Sequence, residues 1–137
     1  MGTDGLHHAD LTEAIIGAAM RVLNTLKPGL RGKACENALV IELRELGYRV
    51  DQQIRYDLTY RAIVVDTLVP DLVVNESVIV DPKVTEDFVP AHFAQMLGYP
   101  SITQLRVALL LNFKHASLRW KRFIRQVLSV PIREIRG

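Results

Sequence analysis

Fourteen residues, Pro70-Asp71-Leu72-Val73-Val74-Asn75-Glu76-Ser77-Val78-Ile79-Val80-Asp81-Pro82-Lys83, constrain what this chain can fold into more than any others. Two apolar runs, Leu72–Val74 and Val78–Val80, flank a polar Asn-Glu-Ser turn, the pattern of a β-hairpin. Apolar side chains fill both faces, as in strands enclosed in a sheet that helices cover. Two aspartates and a lysine stand at the open end of this apolar hairpin. Charges seldom enter a core unless they are paired or bind a metal.

Side-chain parity sharpens the point. Asp81 and Lys83 are two residues apart and share a face. A three-residue loop, Asn75–Ser77, pairs Val74 with Val78 and sets Asp71 opposite Asp81, whereas a two-residue loop sends them to opposite faces. Like charges facing each other destabilise a ladder, and a bound cation removes the conflict. Two carboxylates suit a hard divalent ion such as Mg2+ or Mn2+, which keeps several waters and takes one or two protein carboxylates. Lys83 is then placed to orient a water or stabilise a phosphate. The residues alone leave a second reading open, a buried Asp–Lys ion pair at the sheet edge.

A length of 137 residues suits one domain with a substantial core. Residues 1–9 are short and polar and read as a tail, so the domain is expected to span 10–137. No stretch approaches the roughly 18 apolar residues of a membrane span. Cys35 is the only cysteine, which excludes an internal disulfide or a cysteine zinc site and sets the expectation of a cytoplasmic protein. The net charge of +2 announces no polyanionic partner. Its distribution is less even: from Lys114 onward come Arg119, Lys121, Arg122, Arg125, Arg133 and Arg136 against one acid, Glu134. That asymmetry fits a phosphate-facing surface and equally a solvated terminus.

Helical periods precede the hairpin. Asp10-Leu11-Thr12-Glu13 has capping-box spacing with Asp10 as N-cap. Ile15, Ile16, Ala19, Val22, Leu23 and Leu26 follow at helical intervals, and Lys27-Pro28-Gly29 closes that helix. A second helix is expected over 33–46, with Cys35, Leu39, Leu43 and Leu46 as its apolar stripe. Glu36 lies about 60° from the middle of that stripe; helix-dipole stabilisation near the N-terminus explains it equally well. Tyr48 to Tyr60 alternates like a strand, and residues 61–65 continue a meander into the hairpin. Pro90 opens a third helix at the first-turn position that suits proline, and Pro100 is expected to shorten it. Gln95 and Tyr99, four apart, share a face of it. His92 reads as structural rather than as a ligand. An apolar strand over 105–113 and an edge strand over 117–124 follow. In the latter, Leu118, Trp120 and Phe123 interleave with cations.

Pro-Asp, a spacer, then Asp-x-Lys resembles the signature of PD-(D/E)xK nucleases. The opening Leu-Thr-Glu-Ala-Ile-Ile-Gly-Ala-Ala, together with Gln95-x-x-x-Tyr99, is similar to the small GxxExxY proteins of the RecB-like branch, from about Asp10 to Arg125. The resemblance implies an α/β fold with a mixed central β-sheet flanked by α-helices, a restriction-endonuclease-like core. It implies a divalent-metal-dependent nuclease that hydrolyses phosphodiester bonds of nucleic acid, DNA being the expected substrate. Asp71 and Asp81 would hold Mg2+ or Mn2+, with Glu36 assisting. Lys83 would act at the nucleophile or the developing charge, and Gln95 would orient Lys83 or contact the strand. Tyr99, Arg119 and Lys121 would bind nucleic acid, and a homodimer is an expected working state.

The chain departs from the namesake motif. Gly-x-x-Glu-x-x-Tyr would begin at Gly29, yet Gly32 stands for the Glu and Cys35 for the Tyr. Leu23 replaces a family histidine, and Pro82 replaces a large apolar residue. These departures keep two rivals in view: a catalytically impaired nuclease fold that binds nucleic acid or a partner, and a purely structural domain that forms oligomers.

Overall fold

A computed structural model describes residues 8–124. Residues 1–7 of the tail, and Arg125, Arg133, Glu134 and Arg136, lie outside the described residues. Helices α1 (Ala9–Leu26) and α2 (Gly32–Glu45) come first. Strands β1 (Val50–Gln52), β2 (Tyr56–Tyr60), β3 (Ile63–Leu68), β4 (Leu72–Val74) and β5 (Val78–Lys83) follow. Helix α3 (Pro90–Thr103) and strands β6 (Val107–Asn112) and β7 (Arg119–Ile124) complete the described chain.

Five strands form one mixed sheet in the order β1-β4-β5-β6-β7. Only β5 and β6 are parallel, and α3 is the crossover that such a pair requires. Alternate side chains feed two cores. Leu72, Val74, Val78, Val80, Leu109 and Leu111 meet the apolar stripes of α1 and α2. Val73, Ile79, Ala108 and Leu110 meet Met96 and Tyr99 of α3. The central strands β4, β5 and β6 are therefore buried on both faces, which is why they read as unbroken apolar runs. An exposed ion pair, Arg21 Nε to Glu42 Oε1 at 2.9 Å, links α1 to α2.

The hairpin has the register that the three-residue loop requires: Leu72 pairs with Val80, Val73 with Ile79 and Val74 with Val78. Asn75 and Glu76 both take left-handed φ, 52° and 54°, and Ser77 N donates to Val74 O at 2.9 Å. Asparagine tolerates that conformation. Here its neighbours also hold it, since Asn75 N donates to Arg49 O at 2.7 Å and Arg49 N to Asn75 Oδ1 at 2.9 Å.

Several local expectations are corrected. Helix α1 starts at Ala9, with His8 in the cap position and no side-chain cap, so Asp10 lies in the first turn instead. The strand expected over 48–60 divides in two, because Gln53 adopts a φ of 60° and turns the chain out of the sheet. β2 and β3 form a separate two-stranded ribbon. Its base, Tyr56 and Leu68, packs on the α3-side core, while Leu58, Tyr60, Ile63, Val64 and Val65 are exposed. Helix α3 continues past Pro100 to Thr103. A proline forfeits one helical hydrogen bond, and buried Tyr99 and Thr103 on either side hold the next turn. Phe123 lies on the α3 face against Phe93, at 5.8 Å between centroids, whereas Leu118 packs on the opposite face. No helix among the described residues is long and apolar enough to cross a membrane.

Leu46, expected in the α2 stripe, is 51% exposed. The helix ends at Glu45, and Leu46 occupies the C-cap, off the stripe. Leu43→Ala should therefore cost about 2–5 kcal/mol in urea unfolding, and Leu46→Ala about 0.5 kcal/mol or less. Equal losses would show that the C-terminal turn of α2 is packed differently.

Candidate active site

Asp71 lies one residue before β4, so extending the β4–β5 register sets it opposite Asp81. Both side chains, like Val73 and Ile79, point to the α3 face. The Asp71 carboxyl is near enough to act on the protonation of Asp81. Asp81 is 2% exposed. Burial above all, then the Asp71 carboxyl, pushes its pKa up to about 7, against the opposing pull of Lys83. Lys83 Nζ stands 3.5 Å from Asp81 Oδ2, too far for a good hydrogen bond. Asp81 Oδ2 has no hydrogen-bond partner.

Helix α3 closes this face. Tyr99 is 4% exposed, so its ring belongs to the core. Burial raises the pKa of its hydroxyl, as do the carboxylates of Asp81 and Asp71, while a hydrogen bond from Gln95 acts the other way. Gln95 is exposed and stands one helical turn before Tyr99, as the i,i+4 spacing requires. His92 has a structural partner as expected: Val89 N donates to its Nδ1 at 3.1 Å.

Glu36 is buried more deeply than a flanking position requires, at 4% exposure. Gln52 Nε2 donates to its Oε2 at 2.8 Å, and Lys33 Nζ lies 3.3 Å away. Gln53 bridges outward: its Nε2 is 3.4 Å from Glu36 Oε2 and 3.3 Å from Asp71 Oδ1. Glu36 therefore reaches Asp71 through Gln53. Among the described residues, no group of three His, Cys, Asp or Glu side chains could hold a metal. Gln53 is the participant that sequence reasoning missed. No sequence signal marked it: its place follows from Gln53 N donating to Asp71 O at 3.1 Å, which continues the β1–β4 ladder to the aspartate.

Arg119 and Lys121 share the carboxylate face of the sheet. Register runs Lys83–Asn112–Arg119 and Asp81–Leu110–Lys121 across β5, β6 and β7. Arg119 Nη1 is engaged by Asp87 Oδ1 at 3.3 Å. Arg122 belongs to the other face by strand parity.

The sequence model of the PD-(D/E)XK nuclease superfamily matches residues 9–123. The chain belongs to that superfamily. Two similar solved structures are of an alkaline exonuclease, LHK-Exo, from Laribacter hongkongensis, and of LHK-Exo in complex with dAMP. The first is 12% identical, with a TM-score of 0.48, covering 79% of this chain and 76% of the exonuclease. The second is also 12% identical, with a TM-score of 0.47 and coverages of 84% and 83%. No curated protein matches.

The raised pKa of Asp81 carries a sign. Its neutral form is favoured in the fold, so its stabilising contribution is full below the ordinary aspartate range and is lost as pH rises towards 7. In chelator, Asp81→Asn should melt higher than the wild type at pH 8, and the difference should narrow at pH 5. A difference that does not change with pH would mean that Asp81 is not the strained charge.

Proposed function

We propose that this protein is a divalent-metal-dependent nuclease that hydrolyses phosphodiester bonds of DNA, in the GxxExxY group of its superfamily. One observation carries the reading: buried Asp81 facing half-buried Asp71, with Asp81 Oδ2 left without a hydrogen-bond partner beside Lys83. Such an orphan oxygen costs stability unless something occupies it. Two carboxylates are the protein share that Mg2+ or Mn2+ takes, with water completing the shell, so the residues present fit such an ion. Held there, such an ion would supply Lewis-acid polarisation of a phosphate oxygen and a more acidic bound water.

The chain's own residues prepare that chemistry. Asp71 and Asp81 would hold the ion, and the burial of Asp81 would strengthen the charge interactions around it. Glu36 acts at one remove, holding Gln53, which in turn holds Asp71. Tyr99 closes the floor of the site, and Gln95 fixes Tyr99 from the exposed side. Lys83 keeps a positive charge at the mouth, where charge grows on the phosphate. Lys121, together with Arg119 once released from Asp87, meets the phosphate backbone. The apolar tip of the β2–β3 ribbon supports a homodimer, since an isolated two-stranded ribbon is marginal alone and exposed apolar patches mark contacts.

The departures Leu23 and Cys35 belong to the core between α1, α2 and the sheet, on the face away from Asp71 and Asp81. They favour a change of packing over a loss of the carboxylate pair.

Millimolar Mn2+ should raise the melting temperature of the wild type and leave Asp71→Asn nearly unchanged, because only the folded pair binds the ion. Lys83→Ala should keep that shift and lose about 10²-fold or more in DNA cleavage. No Mn2+ shift in the wild type would favour the binding-module reading.

Phosphate contact has its own signature. Log affinity against log salt should flatten by about 0.9 in Lys121→Ala. Arg119→Ala should flatten it less, because Asp87 competes for that guanidinium. An unchanged slope in both variants would put the nucleic acid on another surface.

A further inference from the structure

Pro82 interrupts the run that carries Asp81 and Lys83. A proline gives no N–H to a ladder, and here it sits one residue before the lysine. β5 nonetheless continues to Lys83, in register with Asn112 of β6. Two interactions hold it there. Phe113 N donates to Lys83 O at 2.9 Å. Beyond that point a side chain takes over the pairing: Asn112 Nδ2 donates to Thr85 O at 2.8 Å, and Asn112 Oδ1 accepts from Thr85 N at 3.2 Å. Oδ1 also accepts from Lys114 N at 3.1 Å.

Asn112 is fully buried. Its amide uses both acceptor sites and one donor, and it pairs with both backbone groups of Thr85 as a neighbouring strand does. It lies beside Lys83 and shares its face of the sheet. A buried asparagine in a strand otherwise made of Val107, Ala108 and three leucines has no packing reason to be there, since an apolar residue would fill the space without needing polar partners.

We infer that Asn112 is the positioning residue for Lys83: by extending the β5–β6 pairing past Pro82, it fixes the backbone that keeps the Lys83 ammonium beside Asp81. The inference rests on the nuclease reading given above. Asn112 touches no reacting atom and acts only through Lys83. Loss of the Asn112 amide lets the chain after Pro82 drift, and a shift of about 1 Å at a group that must meet a phosphate can cost about 10²-fold.

A double-mutant cycle on the full chain tests this. Asn112→Leu keeps the volume and loses every hydrogen bond to Thr85 and Lys114. Asn112→Ala removes the whole grip. In Mn2+, each variant should lower kcat about 10²-fold, with KM for DNA and the Kd for Mn2+ within about twofold of wild type. In a Lys83→Ala background the same substitutions should change the residual rate less than about twofold, because the two residues act as a unit. Additive losses, or an unchanged kcat, overturn the inference. A second readout needs no activity and so separates this inference from the nuclease reading. In reductively 13C-methylated protein, the Lys83 signal, assigned by its absence in Lys83→Arg, should be distinct in wild type. In Asn112→Leu it should move to the position of exposed lysines. A signal that stays in place overturns the positioning role even if the wild type cleaves nothing, while an inactive wild type with the predicted shift overturns the nuclease reading alone.

Discussion

The structure depends on two carboxylates held face to face at the base of an apolar hairpin. Folding pays for this with the desolvation of Asp81, whose carboxyl is pushed towards neutrality by burial and by Asp71. Everything around the pair limits the cost without removing it. Lys83 lies at ion-pair distance, Gln53 donates to Asp71, and Tyr99 packs beneath. None of these gives Asp81 Oδ2 a hydrogen bond. A fold optimised only for stability would replace the pair with apolar residues, and the retained strain is the physical basis for assigning function here.

The architecture serves that pair. Parallel pairing of β5 and β6 brings two strand ends together at one edge, where ligands of open α/β sheets gather. Asp81 and Lys83 stand at the end of β5, and Asn112 at the end of β6. Helix α3, the crossover between them, brings Gln95 and Tyr99 over the same edge. Antiparallel β4 adds Asp71, and β1 with α2 adds the Gln53–Glu36 relay. Six elements therefore contribute to the site.

Much of this was legible in the sequence because its signals were local. Side-chain period fixed which of Asp71, Asp81 and Lys83 share a face once the turn length was chosen, and the polar Asn-Glu-Ser segment chose it. The i,i+4 spacing likewise joined Gln95 to Tyr99. What stayed hidden depended on tertiary context. Gln53 looked like one more residue in an alternating strand, because a left-handed φ at glutamine leaves no mark on composition. Glu36 was placed by angle beside the stripe, yet burial and its link to Asp71 depend on where β1 runs. Tyr99 had a recognisable position but not a recognisable depth. Pro100 read as a helix stop because propensity does not register the buried residues on either side of it. Asn112 passed as one more position of the apolar strand over 105–113, since its partner Thr85 is distant in sequence.

The central claim is that Asp71 and Asp81 jointly hold one divalent ion. Anomalous diffraction from crystals equilibrated with Mn2+ tests it most directly. The account predicts a single anomalous peak between the two carboxylates, within about 2.0–2.2 Å of an oxygen of each, with Asp81 Oδ2 among the ligands. Full occupancy of Mn2+ elsewhere with that position empty, or no peak at saturating Mn2+, would contradict it.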